Sequence, residues 1–359
     1  MSYEISKDKL KDFRKKVFLI YDVPKYFEID NSIEVENIKS IKINQYPGFL
    51  INLENYSDFN DYFRATFSKR SIQKLNRYNK RLENCFNLTE KMLWGSDTDK
   101  LEYDFVFKHF HKLLTKRFED KQITNNNLNP EEWSFYKDVA YPLLLENKAG
   151  LYVIYSDDIP ISVRLLYFSE DIIFDAITVF DIDYTKFHLG KLSIMKMLQW
   201  SFKENYKIFD FSKGYFDYKE SWSDLKYNFE YHIHYDRNSI SSFLLANSLS
   251  VFFNLKQYLR DKELNKKLHK FSFFLRKKKS KSLSPQLIIT EELITYDEDA
   301  LAQVSLQDRK YSFLKKHAFD FLFLNSEHLK NLAVFEITSQ SNTSYLLKGE
   351  NNSQTLAVK

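Results

Sequence analysis

Cysteine is almost missing: Cys85 is the only one in 359 residues. No intramolecular disulfide can form, and nothing points to an oxidising compartment. Cys85 lies in a helix-like stretch and reads as a small apolar packing residue, not a nucleophile. Glycine and proline are scarce, six of each, while 43% of the residues are hydrophobic and 17% aromatic. That balance supports sizeable cores and excludes disorder for most of the chain. No apolar run reaches the roughly eighteen residues of a membrane span. The first residues, MSYEISKDKLKDFRKK, are polar without an apolar centre, so no signal peptide is expected and a soluble, cytoplasmic protein is the expectation. A net charge of +4 is too balanced to argue for a nucleic-acid protein. Metal-ligand patterns are equally thin. His109 and His111 are two apart on a helix and point to different faces. His232 and His234 share the polar face of an alternating strand, where no third ligand is visible, so a solvated face and no metal are expected.

The densest stretch runs from Asp181 to Trp222. Phe187, His188, Leu189, Gly190 and Lys191 form a turn into a helix whose apolar residues Leu192, Met195, Leu198 and Phe202 recur at spacings of three and four. The first N–H groups of such a helix have no intrahelical partner and can hold a phosphate; one glycine before a helix also fits a plain turn or a close-packing position. Ile208 to Phe211 is a short strand with one carboxylate, Asp210, closed by Ser212-Lys213-Gly214 and followed by Tyr215, Tyr218, Lys219 and Trp222. Groups able to move protons therefore gather past a strand end. Upstream, Leu151–Tyr155 and Ile161–Tyr167 flank Ser156-Asp157-Asp158-Ile159-Pro160 as a hairpin, and a third strand runs from Ile172 to Val179.

Earlier in the chain, Val17–Tyr21 reads as a strand, and Ile41–Tyr46 with Phe49–Leu53 as a hairpin around Pro47-Gly48. Ser68 or Ser71 would cap a helix to Leu82 that carries six basic residues, Arg77 and Arg81 among them. It is either a solvated face or a positive wall for an anionic substrate. Helices follow at Leu101–Phe118 and Glu131–Leu145. Beyond Trp222, Tyr227–Tyr235 alternates as a strand. Ile240–Leu259 reads as an apolar helix and Glu263–Leu275 as a more basic one, ending in Arg276-Lys277-Lys278-Lys279-Ser280-Lys281. This pair either packs on the core or makes a peripheral membrane contact. Gln286–Lys359 reads as a small α+β appendage.

Three antiparallel strands, a phosphate-type turn, a helix and a strand resemble the order of the GNAT acyltransferase fold. Asp181 to Tyr184, the helix entry at Gly190, the run Phe209-Asp210-Phe211-Ser212-Lys213-Gly214 and the pair Tyr218-Lys219 resemble its CelD-like and FemABX-like branch, over about Leu151 to Tyr235. The turn departs from the usual two-glycine cofactor loop, since only Gly190 is clear. The resemblance implies an α+β protein: a mixed, mostly antiparallel sheet flanked by helices, with tandem GNAT-like halves at 1–125 and 126–238, a helical segment at 239–281 and an appendage at 282–359. It implies a CoA-dependent N-acyltransferase acting on an amine of an amino sugar or amino acid in an envelope or exopolysaccharide precursor. Acetyl-CoA or another acyl-CoA would be the cofactor, held by Phe187, His188, Leu189, Gly190 and Lys191. Backbone N–H groups near Phe180 to Asp183 would hold the thioester oxygen. Tyr218 would protonate the departing thiolate, Lys219 would anchor an anion, and Asp210 would orient or act as base, with Asp181 and Asp183 as further candidates. Arg77, Arg81, Lys213 and Trp222 would bind substrate. Two alternatives remain open: a FemABX-type transferase using aminoacyl-tRNA, in which the basic helix meets nucleic acid, and a degenerate binding module.

Overall fold

The computed structural model describes residues 12–29, 37–262, 287–290, 301–338 and 343–358. The strands are β1 (Val17–Pro24), β2 (Ile38–Asn52), β3 (Leu88–Leu93), β4 (Ala149–Ser156), β5 (Ile159–Ser169), β6 (Ile172–Phe180), β7 (Ile208–Lys213) and β8 (Leu225–Asp236), then β9 (Leu287–Thr290), β10 (Leu301–Val304), β11 (Ala333–Thr338), β12 (Thr343–Lys348) and β13 (Ser353–Val358). The helices are α1 (Phe59–Thr66), α2 (Lys69–Cys85), α3 (Lys100–Lys121), α4 (Pro130–Leu145), α5 (Leu189–Lys203), α6 (Asp217–Trp222), α7 (Ile240–Asp261) and α8 (Lys315–Asn325). The large sheet is mostly antiparallel and flanked by helices, and a separate five-stranded sheet lies near the C-terminus. The chain forms two compact units, residues 1–57, 169–176 and 205–272, and residues 58–168, 177–204 and 273–359.

The first unit holds strand order β1-β8-β2-β7 with the start of β6. Strands β1, β8, β2 and β7 pair antiparallel, whereas β6 pairs parallel to β7 over Ile172–Phe174 and Ile208–Asp210. The odd-numbered residues Tyr231, Ile233 and Tyr235 of β8 face one side, as the period of two requires, and pack with Ile43 against Ala246 and Phe253 of α7. Two sequence expectations are corrected here. Pro47-Gly48 is not a hairpin turn. Strand β2 runs straight through it for fifteen residues, with β8 and β7 as neighbours on either side and a register shift between Asn44 and Pro47 that absorbs a residue without an N–H. His232 and His234 are not solvated but buried, at 1% and 4% exposure. His232 Nε2 lies 3.0 Å from Glu230 and His234 Nδ1 2.7 Å from Ser40 Oγ. Burial pushes both imidazoles down, His234 to about 4.

In the second unit the order is β3-β4-β5 with the remainder of β6. The β4–β5 turn is as tight as Asp157-Asp158 suggests, with both central residues at positive φ, 47° and 66°. Val153, Val163 and Val179 pack under Tyr103, Phe107 and Phe110 of α3 and Leu144 of α4. Helix α2 begins at the expected cap, Ser68, whose side chain accepts from the Ser71 N–H. Residues of the C-terminal part pack here too: Phe319 of α8 meets Phe86 and Tyr184, and strands β10-β11-β12-β13-β9 form the second sheet.

Candidate active site

Strand β7 carries Asp210, which has no exposed surface. Burying a carboxylate is tolerated only when its oxygens are satisfied. Oδ2 accepts from Tyr227 at 2.5 Å and from Tyr26 at 2.9 Å, and Oδ1 accepts from the Ser212 N–H at 2.8 Å. Ser212 sits at φ 60°, so β7 bends two residues beyond the carboxylate. Lys219 of α6 closes that bend, its Nζ donating to the carbonyls of Ser212 at 3.1 Å and Lys213 at 2.9 Å. The Asp210 carboxyl is pushed up to about 6 by burial, against the hydrogen bonds from Tyr227, Ser212 and Tyr26 and the charge of Lys219. Burial pulls the Lys219 ammonium down to about 8, against the pull of Asp175 and Asp210. Both tyrosine hydroxyls are driven upward, first by burial and then by Asp210, and stay protonated. A carboxylate and an ammonium that both titrate near neutrality are the tools of proton transfer.

The neighbouring backbone adds a second feature. The parallel pairing of β6 and β7 ends at Phe174 and Asp210, although β7 continues to Lys213. Asp175, the next residue of β6, is buried. Gly48 of β2 makes room for Tyr227: a Cβ there would lie 2.2 Å from Tyr227 Cζ.

Of the other residues expected near this strand end, Tyr218 is half-buried on α6, its ring 6.3 Å from that of Phe211 and 5.9 Å from that of Phe216. Trp222 is buried. Lys213 is paired at the surface with Asp22 at 2.5 Å. Tyr26 and Tyr227 were not singled out from the sequence, although they hold Asp210. Tyr26 lies 184 positions away in the chain, and no local pattern connects it to β7. The one available signal was Tyr227 at the head of an alternating strand.

The phosphate-type turn belongs to the second unit. His188 adopts the left-handed conformation before α5, and its ring lies 4.2 Å from that of Tyr78. Burial, then the charges of Lys191 and Lys74, push its imidazole down and keep it neutral. Phe187 and Leu189 are fully buried anchors. Gly190 is accounted for by packing, since a Cβ there would lie 2.5 Å from the Phe180 ring, over which the Arg117 guanidinium sits at 4.6 Å. Gly190→Ala is therefore expected to lower stability by about 1–3 kcal/mol through overpacking, read as a drop in melting temperature. Arg77 lies over the Tyr78 ring at 5.8 Å, and Arg81 donates to the Phe323 carbonyl at 2.9 Å. Lys74 and Lys191 make the start of α5 a cationic turn.

Just before this turn, Asp181 and Asp183 share Lys116, at 2.6 and 2.5 Å. Burial and then the Asp181 charge raise Asp183. A raised carboxyl binds its proton more tightly in the folded state, so its stabilising contribution is present at low pH and lost on the way up. Lys116→Met is accordingly expected to destabilise most at neutral pH, with the deficit shrinking as Asp183 protonates; melting curves across pH check this. Among the described residues no group of three or more His, Cys, Asp or Glu could hold a metal.

Residues 69–220 match the family model of the acetyltransferase (GNAT) domain, so this stretch is a GNAT-type domain. Among solved structures the chain is similar to FemX, at 11% identity, covering 63% of this chain and 74% of that one with a TM-score of 0.46. It is similar to the C-terminal domain of a lysylphosphatidylglycerol synthetase from Agrobacterium fabrum, at 10% identity, covering 65% and 70% with a TM-score of 0.41. A conserved protein from Bacteroides thetaiotaomicron shares 11% identity over 64% and 72%, with a TM-score of 0.38. No curated protein matches the chain.

Proposed function

We propose that this chain is a CoA-dependent N-acyltransferase, with acetyl-CoA or a longer acyl-CoA as donor and an amine of an amino sugar or amino acid in an envelope or exopolysaccharide precursor as acceptor. The observation that carries the reading is the buried Asp210, held by two tyrosine hydroxyls and poised near pH 6, in a chain with a GNAT-type domain. The cofactor supplies an activated thioester. The start of α5 with Lys191 and Lys74 would hold its anionic end.

Transfer forms a C–N bond and breaks the C–S bond, and the ammonium nitrogen gives up two protons, one through the base to solvent and one that ends on the departing thiolate. Asp210, ionised above about 6 and without exposed surface, takes the amine proton through water, while Tyr26 and Tyr227 position its carboxylate. Tyr218 donates to the thiolate, and Lys219, charged below about 8, anchors an anionic group of the acceptor. Holding donor and acceptor together supplies much of the rate. The test is release of free CoA thiol from acetyl-CoA and longer acyl-CoAs across a panel of amino sugars, amino acids and aminoacylated precursors. Amine-dependent release supports the reading. Release with none of the donors overturns it and favours a tRNA-dependent donor or a non-catalytic module.

A further inference from the structure

Helix α7 of the first unit carries large apolar side chains on its outer side as well as its inner one. Its inner face sets Ala246 and Phe253 against β8 and β2. Its outer face carries Ile240, Leu244, Val251, Leu255 and Tyr258, which recur at helical spacing and are all exposed, Ile240 by 81% and Val251 by 69%. Nine large apolar side chains between Ile240 and Leu259 face outward or sideways in this way. No charged residue occurs from Ile240 to Leu255. A run of exposed apolar side chains of this length marks an interaction surface.

The sequence that follows indicates what covers it. From Lys256 to Lys281 there are eleven lysines and arginines against two acidic residues, Asp261 and Glu263. Of these, Lys256 and Lys262 are described and exposed. An apolar helix face joined to a basic run is the two-part signal for an anionic bilayer: side chains enter the acyl boundary while cations meet the headgroups. No helix among the described residues is long and apolar enough to cross a membrane, so α7 would lie on the surface. We infer that the outer face of α7 docks the protein on an anionic lipid surface. This stands independently of the acyl-transfer reading.

The test is co-sedimentation of the full chain with vesicles of phosphatidylcholine alone and of phosphatidylcholine mixed with phosphatidylglycerol, beside light scattering without lipid. The chain is expected to sediment with the anionic vesicles, to be released by salt, and to leave the zwitterionic ones largely unbound. Replacing Leu244, Val251 and Leu255 by Ser should weaken binding by about tenfold or more, with an unchanged melting temperature confirming the fold. Lys277→Glu with Lys278→Glu should weaken it on anionic vesicles without touching the helix. Failure to bind either vesicle, or equal binding to both, overturns the inference. A dimer in solution that the serine variant dissociates, with no vesicle binding, assigns the face to a second copy instead.

Discussion

Asp210→Asn is expected to lower turnover by about a hundredfold or more, the range associated with losing a general base, and to change the shape of the pH profile. In the unaltered chain, activity should rise as Asp210 ionises near 6 and fall as Lys219 loses its proton near 8, giving a bell. The asparagine variant should lose the acid limb and keep the alkaline one. Stability supplies an independent readout. The folded-state value of Asp210 is raised from 3.8 to about 6, so its contribution is fully present below the unfolded value and lost as pH rises through the folded one. Between about pH 4 and pH 7 the stability difference should therefore move by about 3 kcal/mol in favour of the variant. Lys219 has the opposite sign. Depressed from 10.5 to about 8, its contribution is present above the unfolded value and lost as pH falls through the folded one. Urea denaturation at several pH values, with thiol-release kinetics, checks both halves.

The second large effect is expected at Gly48, outside the region that draws attention in the sequence. A side chain at position 48 drives a carbon to 2.2 Å from Tyr227 Cζ. The ring cannot swing aside freely, because it is packed against Tyr26 at 4.7 Å and Phe229 at 5.1 Å. Gly48→Val should therefore combine overpacking with loss of a hydrogen bond to a buried carboxylate, together about 3–5 kcal/mol. Tyr227→Phe separates the two. It keeps the ring and removes only the hydroxyl, so the fold should lose less. Asp210, freed of one donor that stabilises its charge, should titrate higher and carry the acid limb of the pH profile upward. Equal stability losses in the two variants, with an unmoved limb, would mean that the hydroxyl does nothing for Asp210.

These two sites show where sequence reading reached and where it stopped. The helix capped by Ser68, the hairpin at Asp157-Asp158, the strand at Asp210 and the helix after Gly190 were legible because each rests on residues within a few positions of one another. So was the proximity of Asp210 and Lys219, nine positions apart. Tyr26 was not legible, because its bond to Asp210 depends on β1 and β7 belonging to one sheet. Pro47-Gly48 misled for a related reason. The pair ordinarily signals a turn, but here the strand continues and the glycine serves a tyrosine from the neighbouring strand. His232 and His234 alternate onto a face that looks polar, yet whether a polar face is wet depends on what covers it. Gly190 was expected at a cofactor turn. Its immediate neighbour is Phe180, ten positions earlier, which only the packing of β6 against α5 brings close.

The central claim is that this chain takes its acyl group from CoA. The most direct measurement is thermal denaturation with acetyl-CoA, longer acyl-CoAs and free CoA, each at saturation, for the unaltered chain and for Lys191→Glu with Lys74→Glu. A ligand at about a hundred times its dissociation constant stabilises the folded state by roughly 2.7 kcal/mol, a few degrees of melting temperature. The account predicts that shift with at least one CoA species and its loss in the charge-reversed variant. No shift with any of them would contradict it.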